Sequence, residues 1–599
     1  MSGPIHSDTD EELGNGVDPG TNLVEDIKAW KVEASPCLSL EEHGPYPGVG
    51  ITFSSISVSV GKGKKAKSIL TDVSGFIEPK SLTALMGPSG SGKTTLVDFL
   101  TLRKNAGTLR GTVLYEGKKP LESFVSSNVA YMQQEDALIS NLTVYETLLY
   151  NYDLLMGRTG RHSRKTAIHT VLDHLSLMDC KNTLVGSSFQ RGISGGQRKR
   201  VSIAIHLLGR PSVLFMDEPT SGLDSYTAFE VMRLVHGLCQ RGLTTITSIH
   251  APNSSIFALF NRLIILLEGR VVYFGLAHSA VDFFTAHGFD GPSLSESSPA
   301  DWLTMLTVRS ARLNHSDDLA MYYTDSRLKI ENEERINEYN AVKSQDVSCQ
   351  SNLAGRDSLL VKSGLWSSYC IIKHRMKANY RMPNFLIPRI FDKLVFAIVI
   401  FTLYWEVGKP VDNPSVEQDL ATTLQITTSL FMWGVMPVFG SISVIPSIFY
   451  ERDLYQREKK AGYYNAGSYL FAKVFEESLV VMFASALFAC PVWFALSLSG
   501  NWALFWLVYY ITNIVGIVMS YLYAAMAPNT EYAIILCAGV NMILLYFVGL
   551  LIRWEDIPVY WKWLVYINHQ HYAWGALMKN QFNSTDGIGA FGISVLGRF

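Results

Sequence analysis

The chain has 599 residues, more than one hydrophobic core usually supports, so at least two domains are expected. Its formal charge of −2 argues against a nucleic-acid partner, and its 17% charged residues fall below the roughly 25% typical of soluble domains. Seven widely spaced cysteines without a CxxC pair exclude a disulfide or metal framework.

The chain opens MSGPIHSDTDEELGNGVDPG, polar and acidic, with neither a basic n-region nor an apolar h-region, which is no signal peptide. Residues 1–47 are expected to form a disordered leader. An α/β domain is expected over 48–307. ITFSSISVSV alternates as a strand, GKGKKAK reads as a solvated hairpin tip, and SILTDVSGFI alternates again. Strand and helix signals then alternate to about residue 275, which predicts a substantially parallel sheet.

The chemistry is concentrated in this domain. LTALMGPSGSGKTTL (82–96) reads as strand, glycine loop and helix start, and Gly87-x4-Gly92-Lys93-Thr94 matches the phosphate-binding P-loop. Gly87, Ser89, Gly90 and Gly92 present backbone N–H groups to a β-phosphate, and Thr95 closes the cradle. Lys93 reaches the β/γ oxygens and the Thr94 hydroxyl ligates Mg²⁺. In PSVLFMDEPTSGLDS (211–225), an apolar strand ends in Asp217, a metal partner, and Glu218, a base for the attacking water. Gln134, with Gln133 beside it, is placed to sense the γ-phosphate and the metal. His250, closing the strand in TTITSIHAP, is placed to contact the γ-phosphate. ISGGQRKRVSIAIHLL (193–208) opens a helix with Ser194, Gly195, Gly196 and Gln197, a second anion site.

Residues 308–363 turn polar and read as a partly helical linker. GLWSSYCIIKHRMKANYRM then reads as a basic amphipathic helix along the inner membrane surface. Apolar runs at 388–405, 420–450, 478–530 (two spans) and 532–552 predict five membrane spans. Lys373, Arg375, Lys377 and Arg381 precede the first, and Arg452, Arg457, Lys459 and Lys460 follow the second, which predicts a cytoplasmic α/β domain. The sequon at Asn583 then falls outside and is a glycosylation candidate, whereas those at Asn141, Asn253 and Asn314 fall inside.

The ordered series of P-loop, Gln134, ISGGQ, DEPTSGLDS and His250 resembles an ATP-binding cassette over about residues 51–280. That resemblance implies ATP and Mg²⁺ as cofactors, and a head-to-tail dimer in which Ser194, Gly195, Gly196 and Gln197 bind the γ-phosphate of the partner's nucleotide. No aromatic stands out as an adenine platform, Phe53 being the one weighed. The cassette precedes the membrane domain, RKR follows the signature, SPADW begins at Ser298, and FYERDLYQREKKAGYYNAGSYLFAK follows the second span. Together these resemble the eukaryotic G subfamily (white type) of half-transporters.

The implied fold is an α/β P-loop NTPase domain followed by an all-α polytopic membrane domain over 364–599, with Glu451 and Arg452 coupling the two. In that subfamily the second and fifth spans line a largely apolar cavity, which points to Thr428, Met436, Phe439, Asn541 and Leu550. The implied activity is ATP-driven export of a hydrophobic or amphipathic molecule, such as a lipid, a sterol or a xenobiotic-like compound. The implied partners are the bilayer and a second half-transporter, and the plasma membrane is favoured over internal membranes. The subfamily has six spans, and a sixth is not found before Phe599. A truncated, non-transporting partner that regulates a full-length subunit is therefore the alternative reading, while the apolar spans exclude a soluble cassette protein of repair or translation type.

Overall fold

The computed structural model describes residues 46–61, 67–103, 107–134, 137–187, 190–291, 298–313, 315–345, 364–409, 416–552 and 554–582. The leader up to residue 45, the Asn314 and Asn583 sequons and residues 346–363 lie outside them. The strands are β1 (Ile51–Val60), β2 (Lys67–Ile77), β3 (Leu82–Met86), β4 (Thr108–Tyr115), β5 (Val129–Met132), β6 (Val213–Asp217), β7 (Thr244–Ser248), β8 (Arg262–Leu267) and β9 (Arg270–Leu276). Three form an antiparallel sheet ordered β2-β1-β4. Six form a second sheet ordered β5-β6-β7-β3-β8-β9, parallel except for β9.

Every residue of β3, β6, β7 and β8 is buried, as a parallel strand covered on both faces requires. Leu85 of β3 and Asp217 of β6 both pair with Ser248 of β7, so the C-terminal tips of three central strands meet. An open α/β sheet binds its ligands at such a place. The helices flanking the sheet include α1 (Lys93–Leu100), α2 (Glu122–Asn128), α3 (Val144–Met156), α4 (Arg161–His174), α5 (Gly195–Leu207) and α6 (Ser225–Gln240).

The first half of the expected linker is structured. Helices α7 (Pro299–Arg312), α8 (Ser316–Thr324) and α9 (Arg327–Gln345) continue the domain, with α8 on β9 and α9 on β2 and β9. Leu319, Tyr323 and Ile336 are buried there, and Asn332 Nδ2 donates to Phe274 O at 2.7 Å. So few apolar anchors in a charged background leave little amphipathic signature to read.

The remaining chain is helical: α10 (Gly364–Asn379), α11 (Pro383–Leu403), α12 (Val416–Gly440), α13 (Ile445–Lys460), α14 (Ala466–Leu496), α15 (Trp502–Met526), α16 (Thr530–Tyr546) and α17 (His569–Phe582). Among the described residues three stretches are long and apolar enough to cross a membrane: Leu420–Lys460, Ala466–Leu496 and Trp502–Met526. Thr530–Tyr546 is apolar but shorter, and α11 carries Arg389, Asp392 and Lys393. Those charges do not face lipid alone. Arg389 is 3% exposed and clamps Glu477 of α14 bidentately, with Nε to Oε2 at 2.7 Å and Nη2 to Oε1, while Nη2 also donates to Ser447 at 2.9 Å. Trp433 of α12 stacks on Phe505 (5.0 Å) and Tyr509 (4.1 Å) of α15, the aromatic centre of this bundle.

Candidate functional site

The P-loop follows β3 without a break. Gly87 has φ +147°, and a Cβ there would lie 2.2 Å from Leu266 O, so no side chain fits this turn. Gly92, at φ +97°, is the N-cap of α1 and is pressed against Leu70. Lys93, the first residue of α1, folds back so that Nζ donates to Gly87 O at 2.8 Å and Pro88 O at 3.0 Å, across the mouth of the loop. Burial pushes the Lys93 ammonium down, while Glu218 and Asp217 oppose that shift. The Ser91 hydroxyl is buried without a hydrogen-bond partner among the described residues.

Asp217 stands at the tip of β6. Its Oδ2 accepts from Thr94 Oγ1 at 3.1 Å and its Oδ1 accepts from Ser248 Oγ. A hydroxyl beside a carboxylate at the end of a phosphate cradle is the donor set Mg²⁺ takes when phosphates and water complete its shell. Among the described residues no group of three His, Cys, Asp or Glu forms a protein-only metal cage. The cradle therefore fits a metal that arrives with nucleotide. Glu218 adopts φ +46°, and its N–H is held by Ser248 O (3.2 Å) and Ser248 Oγ (3.0 Å), which turns its carboxylate out of the strand line. Gln134 Nε2 donates to Glu218 Oε2 at 2.8 Å, and Lys199 Nζ holds the Gln134 carbonyl at 2.7 Å.

Thr94, Asp217, Glu218 and Gln134 are thus brought together. His250 is exposed two residues beyond Ser248 and makes no hydrogen bond among the described residues. Ser248 and Lys199 were not singled out from sequence. Ser248 is a buried polar residue closing a buried strand, and Lys199 is buried on α5; both acquire their roles only from tertiary neighbours. Phe53 is 1% exposed and packs on Gly75 in the core, so it is no adenine platform.

Ser194 caps α5 through a reciprocal box, with Gln197 N donating to Ser194 Oγ (3.2 Å) and Ser194 N to Gln197 Oε1 (3.0 Å). Gly195 and Gly196 begin the helix, where N–H groups have no intrahelical acceptor. Ser194 and Gly195 are exposed, whereas a Cβ on Gly196 would lie 2.0 Å from Thr227 Cγ2 of α6.

From Ser140 onward the chain contacts the membrane domain. Ser140 Oγ meets Tyr450 Oη at 3.1 Å, and Asn141 Nδ2 donates to Ala378 O at 3.3 Å. From α3, Tyr150 Oη donates to Glu458 Oε2 (3.1 Å), Glu146 pairs with Arg381 and Lys377 (both 2.8 Å), and Asp153 faces His374 (3.1 Å). Arg375 of α10 ties Glu458 (2.6 Å) and Glu451 (2.7 Å) of α13, and Lys473 of α14 ties Glu451 again (2.7 Å). Arg452 instead reaches Pro528 O at 3.2 Å. The basic side chains of α10 read as membrane-facing are largely engaged by protein carboxylates.

On α12, Thr428, Met432, Met436 and Phe439 fall on one stripe that this chain covers only in part. Leu550 and Phe439 are each partly buried against the same bundle core. Asn541 lies off that stripe, buried on α16 with Nδ2 3.4 Å from Cys537 Sγ.

Family models match in the same two places: "ABC transporter" over residues 70–221 and "ABC-2 type transporter" over 369–582. The chain is 31% identical to "ABC transporter G family member 1" of Petunia hybrida over 552 residues, covering 89% of this chain and 84% of that one. It is 30% identical to "ABC transporter G family member 22" of Arabidopsis thaliana, covering 86% and 71%. It is 29% identical to the "Broad substrate specificity ATP-binding cassette transporter ABCG2" of Sus scrofa, covering 86% and 80%.

Proposed function

From its place in the ABC transporter G family, to which the chain belongs, we propose that this ATP-hydrolysing membrane transporter works as a half-transporter exporting hydrophobic or amphipathic molecules. Two copies, or this chain and a related one, complete two nucleotide sites. The observation that carries the reading is the continuity between Gln134, hydrogen-bonded to Glu218, and residues 140–153, which grip α10 and α13.

Mg²⁺, which Thr94 and Asp217 would hold, would supply positive charge to offset that of the bound phosphates. Lys93 leaves its two carbonyls and turns to the phosphates. Glu218 orients the attacking water and takes its proton, and Gln134 leaves Glu218 as the site fills. A displacement of Gln134 shifts Ser140 and α3, and Tyr150 and Glu146 pass it to the membrane helices. The exposed Ser194 hydroxyl and Gly195 N–H donate to the partner's nucleotide. The partly covered α12 stripe, with Thr428, Met436 and Phe439, forms one wall of the substrate cavity at the subunit boundary. The α/β domain faces the cytoplasm, and the plasma membrane is the site of action.

Glu218→Gln tests the assignment of the base. ATP binding should persist while turnover falls about 10²–10⁴-fold. Undiminished ATPase in the purified protein would remove Glu218 from that role.

A further inference from the structure

A second cavity, of ≈ 400 Å³, lies between the α/β domain and the end of α13 and shares no residue with the P-loop. It falls within the range, about 300–1,000 Å³, of small-ligand sites. Its walls come from both domains. Arg103, just past α1, and His206 of α5 stand on one side, and Arg457 and Lys460 of α13 stand on the other. Neither Arg103 nor Arg457 forms an ion pair among the described residues, although both are partly buried; Asp98 of α1 attracts Arg103 only from a distance, whereas Arg375 and Arg381, at the neighbouring interface, each hold a carboxylate. Arg103 lies over the Tyr131 ring at 5.1 Å, which fixes its plane at the cavity wall. Glu122, on the rim, is the carboxylate among the lining residues, so three cations face one anion.

We propose that this cavity is an anion site for a compact phosphate ester carrying two or more phosphates, which bridges Arg103 of the ATP-hydrolysing domain to Arg457 of α13. Guanidinium forks match phosphate oxygens bidentately, and two of them on opposite walls suit two phosphates of one molecule. His206 is held neutral, its imidazole pushed down to about 3 by burial and then by Arg457 and Arg103, so it offers a hydrogen bond without adding charge. The occupant acts as a removable strut across the interface that α3, α10 and α13 build. This site is separate from the nucleotide site and does not rest on the transport reading. Phosphate-ester chemistry is shared by soluble metabolites and lipid headgroups. Arg457 lies 12 residues beyond Ile445, about 18 Å down the helix, and two arms of one experiment separate the sources.

Full-length protein, with its nucleotide sites saturated by a non-hydrolysable ATP analogue, is titrated calorimetrically with inositol 1,4,5-trisphosphate. In the second arm the protein sits in phosphatidylcholine nanodiscs with or without phosphatidylinositol 4,5-bisphosphate, read by the shift in melting temperature. Arg103→Gln and Arg457→Gln should each weaken binding about tenfold or more, Arg457→Lys less, and the exposed Arg233→Gln not at all. Retained binding of the ATP analogue by each variant reports an intact fold. Binding confined to the lipid arm, and lost in the same variants, assigns the site to a headgroup. Binding equal in wild type and both glutamine variants, or binding in neither arm, overturns the proposal.

Discussion

At Ser248 one hydroxyl serves two catalytic neighbours, donating to Asp217 and receiving the Glu218 N–H. Ser248→Ala should free Asp217 Oδ1 while the Glu218 N–H keeps the Ser248 carbonyl, and loss of a single hydrogen bond worth about 0.5–1.5 kcal/mol predicts a fall in kcat of several-fold to about tenfold. A steady-state ATPase assay checks it; ATP binding should change little, because Lys93 and the P-loop glycines are untouched. Gly196 gives a sharper steric case. Gly196→Ala places a methyl 2.0 Å from Thr227 Cγ2 but 3.5 Å from Thr227 Cβ, so adding Thr227→Ala should restore the folding and ATPase that the single variant loses. A double variant no better than Gly196→Ala would locate the need for glycine in the backbone instead. Residues at this scale were legible where a motif fixes local geometry, as in 87–94 and 217–218. Ser248 and Lys199 were not, because their partners lie 31 and 65 residues away and the order of parallel strands is not written in any one segment.

Between elements, the contacts of α3 with α10 rest on carboxylates that differ sharply in titration from free ones. Burial would raise Glu146, yet Arg381, Lys377 and the Thr143 N–H hold it down, from its ordinary 4.5 to about 2. A depressed folded-state pKa contributes stability that is complete above the unfolded value and is lost as pH falls through the folded one. Thermal unfolding of the purified protein should therefore weaken between about pH 4.5 and pH 2 more in wild type than in Glu146→Gln, which has already lost the charge. Deeper in the bundle, removing one partner of the buried Arg389–Glu477 pair strands a charge. Glu477→Gln should cost about 3–5 kcal/mol, read as a lower melting temperature in detergent. The apolar stretches Leu420–Lys460, Ala466–Leu496 and Trp502–Met526 were legible from composition. The pairing of α11 with α14 was not, since Arg389 and Glu477 are 88 residues apart and nothing near Arg389 in the first apolar run names its partner. The docking of α8 and α9 onto β2 and β9 was missed for a related reason, their few buried anchors being sequence-distant from the strands they cover.

For the whole molecule, the central claim is that a single chain holds two complementary halves of nucleotide sites. Its P-loop carries Lys93 on one surface and its signature helix exposes Ser194 and Gly195 on another. Two chains related by a twofold axis can then each lend the half the other lacks. The most direct measurement is complementation between differently tagged chains, one bearing Lys93→Ala and the other Ser194→Arg, co-expressed and purified through both tags. Each variant alone should be inactive in ATPase assays. The mixed pair should regain hydrolysis, because it contains one site built from an intact P-loop and an intact signature. A mixed pair as inactive as either parent would mean that no site is shared between chains, and the half-transporter account would fall.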